Sequence, residues 1–235
     1  MFSNWLKQVL LLLGKQPFFW LIYVVLLYPV LAIGSLSQLL GIILAVISLF
    51  VGVGLGAFCD QLEQSGKNVT LTQIIRQCLP LSIIAGIALM LCWFVFRAIA
   101  DLTNGQFQHI VQFFWQGDLI KPELWDKPWQ IIVARVYEVS MVALIFSVLM
   151  ITTFANWFSF PLMVFNNYRW SIAKNSGIQS ARKNQKAMSN LMLSLGISTV
   201  LGLSLFPVLT PIFYLLTSLL MYVSYRQIYG RPFEG

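Results

Sequence analysis

Charge is what this sequence has least of. Only 10% of its 235 residues are Asp, Glu, Lys or Arg, where a soluble domain carries about 25%. Acids are scarcer than bases, eight against fifteen, which leaves a net charge of +7. There is one histidine, His109, and there are three cysteines, Cys59, Cys78 and Cys92. Each shortage excludes something. A lone histidine with no cysteine beside it cannot supply the three or four ligands of a zinc site. No Ser/His/Asp set, GxSxG or HExxH can be assembled. An odd number of cysteines without a CxxC pair argues against a disulfide framework and for reduced, buried side chains. The GVGLG string at 52–56 sits inside an apolar run with no strand before it, which excludes a nucleotide loop. No cofactor is expected.

What is present is apolar. Hydrophobic residues make up 58% of the chain and the mean hydropathy is +0.78. A water-soluble protein of this length could not hide that much apolar surface, because surface is lost too slowly as mass grows. A bilayer removes the conflict. The composition predicts an all-α fold, a polytopic transmembrane helix bundle forming a single integral domain. About six spans are expected, roughly 17–34, 39–59, 80–100, 139–161, 187–206 and 208–226, with short interfacial amphipathic helices. The net positive charge would suggest nucleic acid in a soluble chain. Here it reads as cations retained on the cytoplasmic side, and no nucleic-acid partner is expected.

One stretch orients the rest. Phe165–Lys186 holds Arg169, Lys174, Arg182, Lys183 and Lys186 and no acidic residue. These five are candidate contacts for anionic lipid head groups, which attract a nearby cation by about 1 kcal/mol each. With both termini cytoplasmic, eleven basic residues fall inside and four (Arg97, Lys121, Lys127 and Arg135) fall outside. Six spans with that orientation satisfy the positive-inside rule.

The segments between spans carry their own expectations. Met1–Lys15 has apolar residues at helical spacing and predicts a short amphipathic helix in the interface, with Trp5 at head-group depth. Lys15 interrupts its apolar run and no small-residue cleavage site follows, so a cleaved signal peptide is not expected. Residues 60–79 read as a polar connector ending in a short interfacial helix capped by Asn68 or Thr70, and Pro80 is expected to start the third span. Residues 101–128 combine acids with clustered Phe and Trp, which suits the outer interface, with a short helix at 106–115. Residues 129–165 would make one helix of about 55 Å, too long for a core of about 30 Å. The Phe160-Pro161 pair is the expected kink. The last two spans are joined by FPVLTP alone, and a re-entrant pair is an alternative there. An amphipathic segment followed by a hairpin recurs three times, from Met1, Asn68 and Arg169, as a pattern without sequence similarity.

Few residues are candidates for a specific role. Gly52 and Gly56 form a GxxxG step, which predicts close helix packing within the chain or with a second copy. Arg97 with Asp101 and Arg135 with Glu138 have i,i+4 and i,i+3 spacing, so each pair shares a helix face near the outer side. They read as interfacial ion pairs or as a polar gate. Asn156 is the deepest polar residue of the fourth span and reads as an interhelical hydrogen bond.

The GKQPFFW lead into the first span, the segment PLMVFNNYRWSIAKNSGIQSARKNQKA before the fifth and the closing YVSYRQIYG resemble the BPSS-type family of uncharacterised bacterial multi-pass membrane proteins. The resemblance implies a bacterial inner-membrane location and no reaction. The Gly-rich second span, the interfacial helices and the absence of a catalytic set lead to the expectation of a non-enzymatic accessory, assembly or membrane-organising subunit, with membrane lipids and either a protein partner or a second copy of itself as partners. The alternative is a small transporter or channel for an apolar or lipid-like molecule.

Overall fold

Backbone groups that cannot reach water must bond within their own segment, and the helix is the element that achieves this. The computed structural model describes residues 1–34, 38–62, 70–103, 129–205 and 207–230, and every regular element among them is helical. Helix α1 is Phe2–Lys15, α2 is Pro17–Gly34, α3 is Gln38–Leu62 and α4 is Leu71–Thr103. Helix α5 is Trp129–Met150, continued by a π-helical turn at Ile151–Ala155. Then come the short α6, Ser159–Phe165, and α7, Trp170–Lys183. Helix α8, Gln185–Leu205, leads through a 3₁₀ turn at Pro207–Leu209 into α9, Thr210–Tyr229.

Four helices are long and apolar enough to cross a membrane: Pro17–Gly34, Leu40–Leu62, Leu71–Ala100 and Val136–Ala155. They are not equivalent. The α3 window is 72% buried and the α4 window 17%, so α3 belongs to the core and α4 to the rim. On α4 the exposed stripe is Ile84, Ile87, Leu91 and Val95. That spacing is one helix face, and its neighbours are apolar enough to meet lipid.

The sequence predicts six spans, and length with apolarity singles out four. The difference lies in α8 and α9. Both are long enough, 21 and 20 residues, the latter about 30 Å at ~1.5 Å per residue. Helix α9 is too rich in hydroxyls for a lipid-facing span, and its position explains why. It contacts α1, α2, α3, α5, α6 and α8, and Tyr214, Ser218, Leu219, Met221, Tyr222 and Ser224 have no exposed surface. It is the axis of the bundle. Its hydroxyls are bonded: Thr217 and Ser218 donate to Phe213 O and Tyr214 O, Thr210 to Tyr137 O, and Tyr214 to Ser140 O. A polar side chain inside lipid needs such a partner.

Further expectations are corrected. Pro80 does not start a helix; α4 begins at Leu71 and runs through it. The first turns are anchored on both sides. Gln73 Oε1 accepts the Thr70 N–H at 3.4 Å, as in a capping box, and Ile74 and Cys78 pack over Gly54 of α3. Proline is tolerated where neighbouring packing holds a span in line. The second unit of the threefold pattern thereby disappears, because its amphipathic segment is the start of a span. Helix α1 forms where the amphipathic pattern predicts it, and its apolar residues divide: Leu6, Leu10 and Leu11 are exposed. Trp5, Val9 and Leu12 are buried against α8, α9 and α2, and Trp20 Nε1 donates to Leu12 O at 3.1 Å across the corner. Finally, the fourth long helix breaks before Pro161. The π turn ends at Asn156, whose φ is 91° and whose N–H bonds back to Ile151 O at 2.8 Å. Pro161 lies in the first turn of α6, where its missing N–H costs nothing. The expected helix at 106–115 and His109 lie outside the described residues.

Candidate functional site

The polar groups of the described chain converge at one end of α9. Asp60 ends the apolar run of α3 and is 3% exposed. Its Oδ1 accepts from Arg226 Nη1 at 2.7 Å and its Oδ2 from the Tyr222 hydroxyl at 2.8 Å. Tyr222 and Arg226 are one turn apart on α9, so both face the α3 carboxylate. The two helices can approach because Gly56 lies opposite the Tyr222 ring: a β-carbon there would stand 3.1 Å from it. One turn further in, a β-carbon at Gly52 would stand 2.5 Å from Ser218 Oγ and 2.8 Å from the Tyr23 hydroxyl. Both glycines of the GxxxG step therefore face α9 of the same chain.

The next turn of α9 holds the segment that follows the broken helix. Tyr225 donates to Asn166 Oδ1 at 2.6 Å, fixing the end of α6. Tyr229 donates to Ser176 O at 3.0 Å and meets Ser180 Oγ at 2.6 Å, fixing α7. The Tyr225 and Tyr229 rings stack with centroids 5.6 Å apart, and Phe165 packs on Tyr225 at 5.4 Å. Trp157 Nε1 donates to Ser224 Oγ at 2.9 Å. Asn156 faces Gly177 of α7, where a β-carbon would stand 3.0 Å from Asn156 Oδ1. The segment Trp157–Phe165 is almost wholly buried, wedged between α7 and the bundle.

Of the five basic residues, Lys174, Arg182 and Lys183 lie on α7, Arg169 just before it and Lys186 in the first turn of α8. Ala173 and Gly177 form the buried face of α7. Arg169, Arg182, Lys183 and Lys186 are exposed and Lys174 is half-buried. Arg182 and Lys183 lie in the last turn, where the helix dipole favours cations. Tyr168, Trp170 and Ile172 are exposed at the start of α7, next to Arg169 in sequence. At the other end of the bundle, Glu138 is half-buried, and the side chains of Arg97, Asp101 and Arg135 lie outside the described set. Cys59 and Cys78 are buried, apart from Cys92; the Cys59 thiol donates to Gln16 Oε1 at 3.3 Å. Among the described residues, no three His, Cys, Asp or Glu side chains come together as metal ligands would.

Sequence reasoning passed over the Asp60–Tyr222–Arg226 set. Asp60 reads as the first residue of a polar connector and Arg226 as part of an interfacial ending. The usable signal was their opposite charge at the same-side ends of two spans. No family model, curated protein or solved structure matches the chain.

Proposed function

We propose that the chain is a non-enzymatic bacterial inner-membrane protein of six spans, with both termini cytoplasmic, that works by contact as an accessory or assembly subunit of a larger complex. One observation carries the reading. The convergent polar groups are spent on holding the chain together: Asp60 on Tyr222 and Arg226, and Tyr229 on α7. What this fixed frame presents outward is the basic segment on and around α7, with Arg169, Arg182, Lys183 and Lys186 exposed. A rigid cationic face suits anionic head groups, or a partner that shares the membrane surface. The six-span orientation draws its support from the excess of basic residues on the α7 side.

The alternative, a small transporter or channel for an apolar or lipid-like molecule, is favoured by an apolar groove between α2 and α3. Purification in mild detergent at native expression level separates the two. A stoichiometric protein partner, lost when the exposed cations of α7 become glutamine, supports the accessory subunit. A chain that comes alone and moves an apolar probe across vesicles overturns it.

A further inference from the structure

The groove that favours the alternative has a shape that identifies its occupant. It runs along the α2–α3 seam from Phe19 to Val30, with Ile47 and Leu55 of α3 as its floor and Leu71 and Ile75 of α4 closing one end. Its volume is about 390 Å³. The eleven steps from Phe19 to Val30 of α2 rise about 16 Å, so the groove is long and narrow. Carbon atoms in contact sit about 3.5–4.0 Å apart, and one hydrocarbon chain fits such a groove. A helix of about 10–12 Å diameter does not.

The lining gives water no reason to enter. It carries two hydroxyls, Tyr23 and Ser48; both residues are buried, and the Tyr23 hydroxyl donates to Ser48 O at 2.6 Å, while an apolar cavity with few polar partners stays dry. The open side is formed by Ile22 and Leu26, which are 57% and 60% exposed on a helix apolar enough to cross a membrane. Charge marks one end. Arg76 follows Ile75 directly and is exposed, beside the first turns of α4.

We propose that this groove is a phospholipid site: one acyl chain lies between α2 and α3, and the anionic head group sits at the Leu71–Ile75 end beside Arg76. The leaflet that supplies the lipid rests on the topology proposed above, which reporter fusions read independently of lipid retention.

The test is lipid retention by the full chain after incorporation into nanodiscs of equimolar phosphatidylglycerol and phosphatidylethanolamine, release into mild detergent and native mass spectrometry. One retained phospholipid per chain is expected, with phosphatidylglycerol favoured. Val51→Phe fills the groove without touching the α9 interface and should abolish retention. Ile47→Phe fills it from the next turn and serves if the first variant does not fold. Arg76→Gln should remove the preference for phosphatidylglycerol. The paired change Arg182→Gln with Lys183→Gln should leave retention unchanged. Retention that survives both groove-filling variants, or that follows the α7 cations, overturns the proposal. So does a mass showing a second copy of the chain displaced by Val51→Phe.

Discussion

Replacing Asp60 by alanine tests whether the end of α9 is held by the α3 carboxylate. The substitution removes the acceptor of the Tyr222 hydroxyl, which lies on a residue with no exposed surface. A stranded buried donor costs about 1–3 kcal/mol. It also removes the countercharge of Arg226, whose side chain is 23% exposed. Breaking a wholly buried pair costs about 3–5 kcal/mol, but a guanidinium that reaches solvent recovers part of that, leaving about 1–2 kcal/mol. The expected total is about 2–5 kcal/mol. Arg226→Ala should cost about as much or more, since the Asp60 side chain is 4% exposed and a buried carboxylate keeps its full desolvation penalty. The double variant should lose less than the sum, by a coupling of about 1–3 kcal/mol. Asp60→Asn retains an acceptor for Tyr222 and should fall between wild type and alanine. Equilibrium unfolding in mixed micelles, followed by tryptophan fluorescence, gives the four corners of the cycle. Additivity within about 0.5 kcal/mol would refute the coupling, and with it the view that this ion pair fixes α9.

Further outcomes follow from the same contacts. Gly52→Leu should destabilise by about 3 kcal/mol or more because its first side-chain atom already meets Ser218 and Tyr23, whereas Gly196→Ala, with nothing within 4 Å, should be neutral or stabilising by up to about 1 kcal/mol; thermal shift in detergent distinguishes them. Tyr229→Phe should cost about 1 kcal/mol and raise amide exchange selectively in α7, while uniform protection would count against the tether. A reporter joined after Gly235 should be active on the cytoplasmic side, and one inserted between residues 104 and 128 on the opposite side; matching signals from both would overturn the orientation.

How much of this was legible differs by element, and the reason is physical. Helices α2 and α3 and the body of α5 announce themselves as long uncharged runs, since a lipid-facing surface must be apolar along its whole length. Helix α9 does not, because hydropathy measures what lipid accepts and α9 meets no lipid along most of its faces. Its hydroxyls at Thr210, Tyr214, Ser218 and Tyr222 recur every four residues, a spacing that could have marked a bonded seam. The break at Asn156 was hidden by Pro161, which draws attention as a breaker but sits harmlessly in a first turn. The start of α4 at Leu71 was hidden in the same way by Pro80. For Trp5 the amphipathic pattern states that a face is covered and not what covers it, which is other helices.

That inversion bears on how such a chain can be stable. In water the core is selected for apolarity, and burial supplies the drive. Between helices already in lipid, apolar burial supplies little, because the surroundings are as apolar as the core. What remains is close packing and hydrogen bonding, and both concentrate on α9. Gly52 and Gly56 admit its ring and hydroxyl side chains, while Asp60, Ser140 O and Tyr137 O receive its donors. The more polar helix is therefore the better central helix. The apolar α4, with its exposed stripe from Ile84 to Val95, gains most by staying at the rim. On this view stability should depend on α9 hydroxyls more than on α4 leucines. Tyr214→Phe removes the bond to Ser140 O at zero exposure and should cost about 1–3 kcal/mol. Leu91→Ala on the open face of α4, 53% exposed, should cost well under 1 kcal/mol. The reverse order in the same unfolding assay would mean that apolar contacts, and not the bonded seam, hold the bundle.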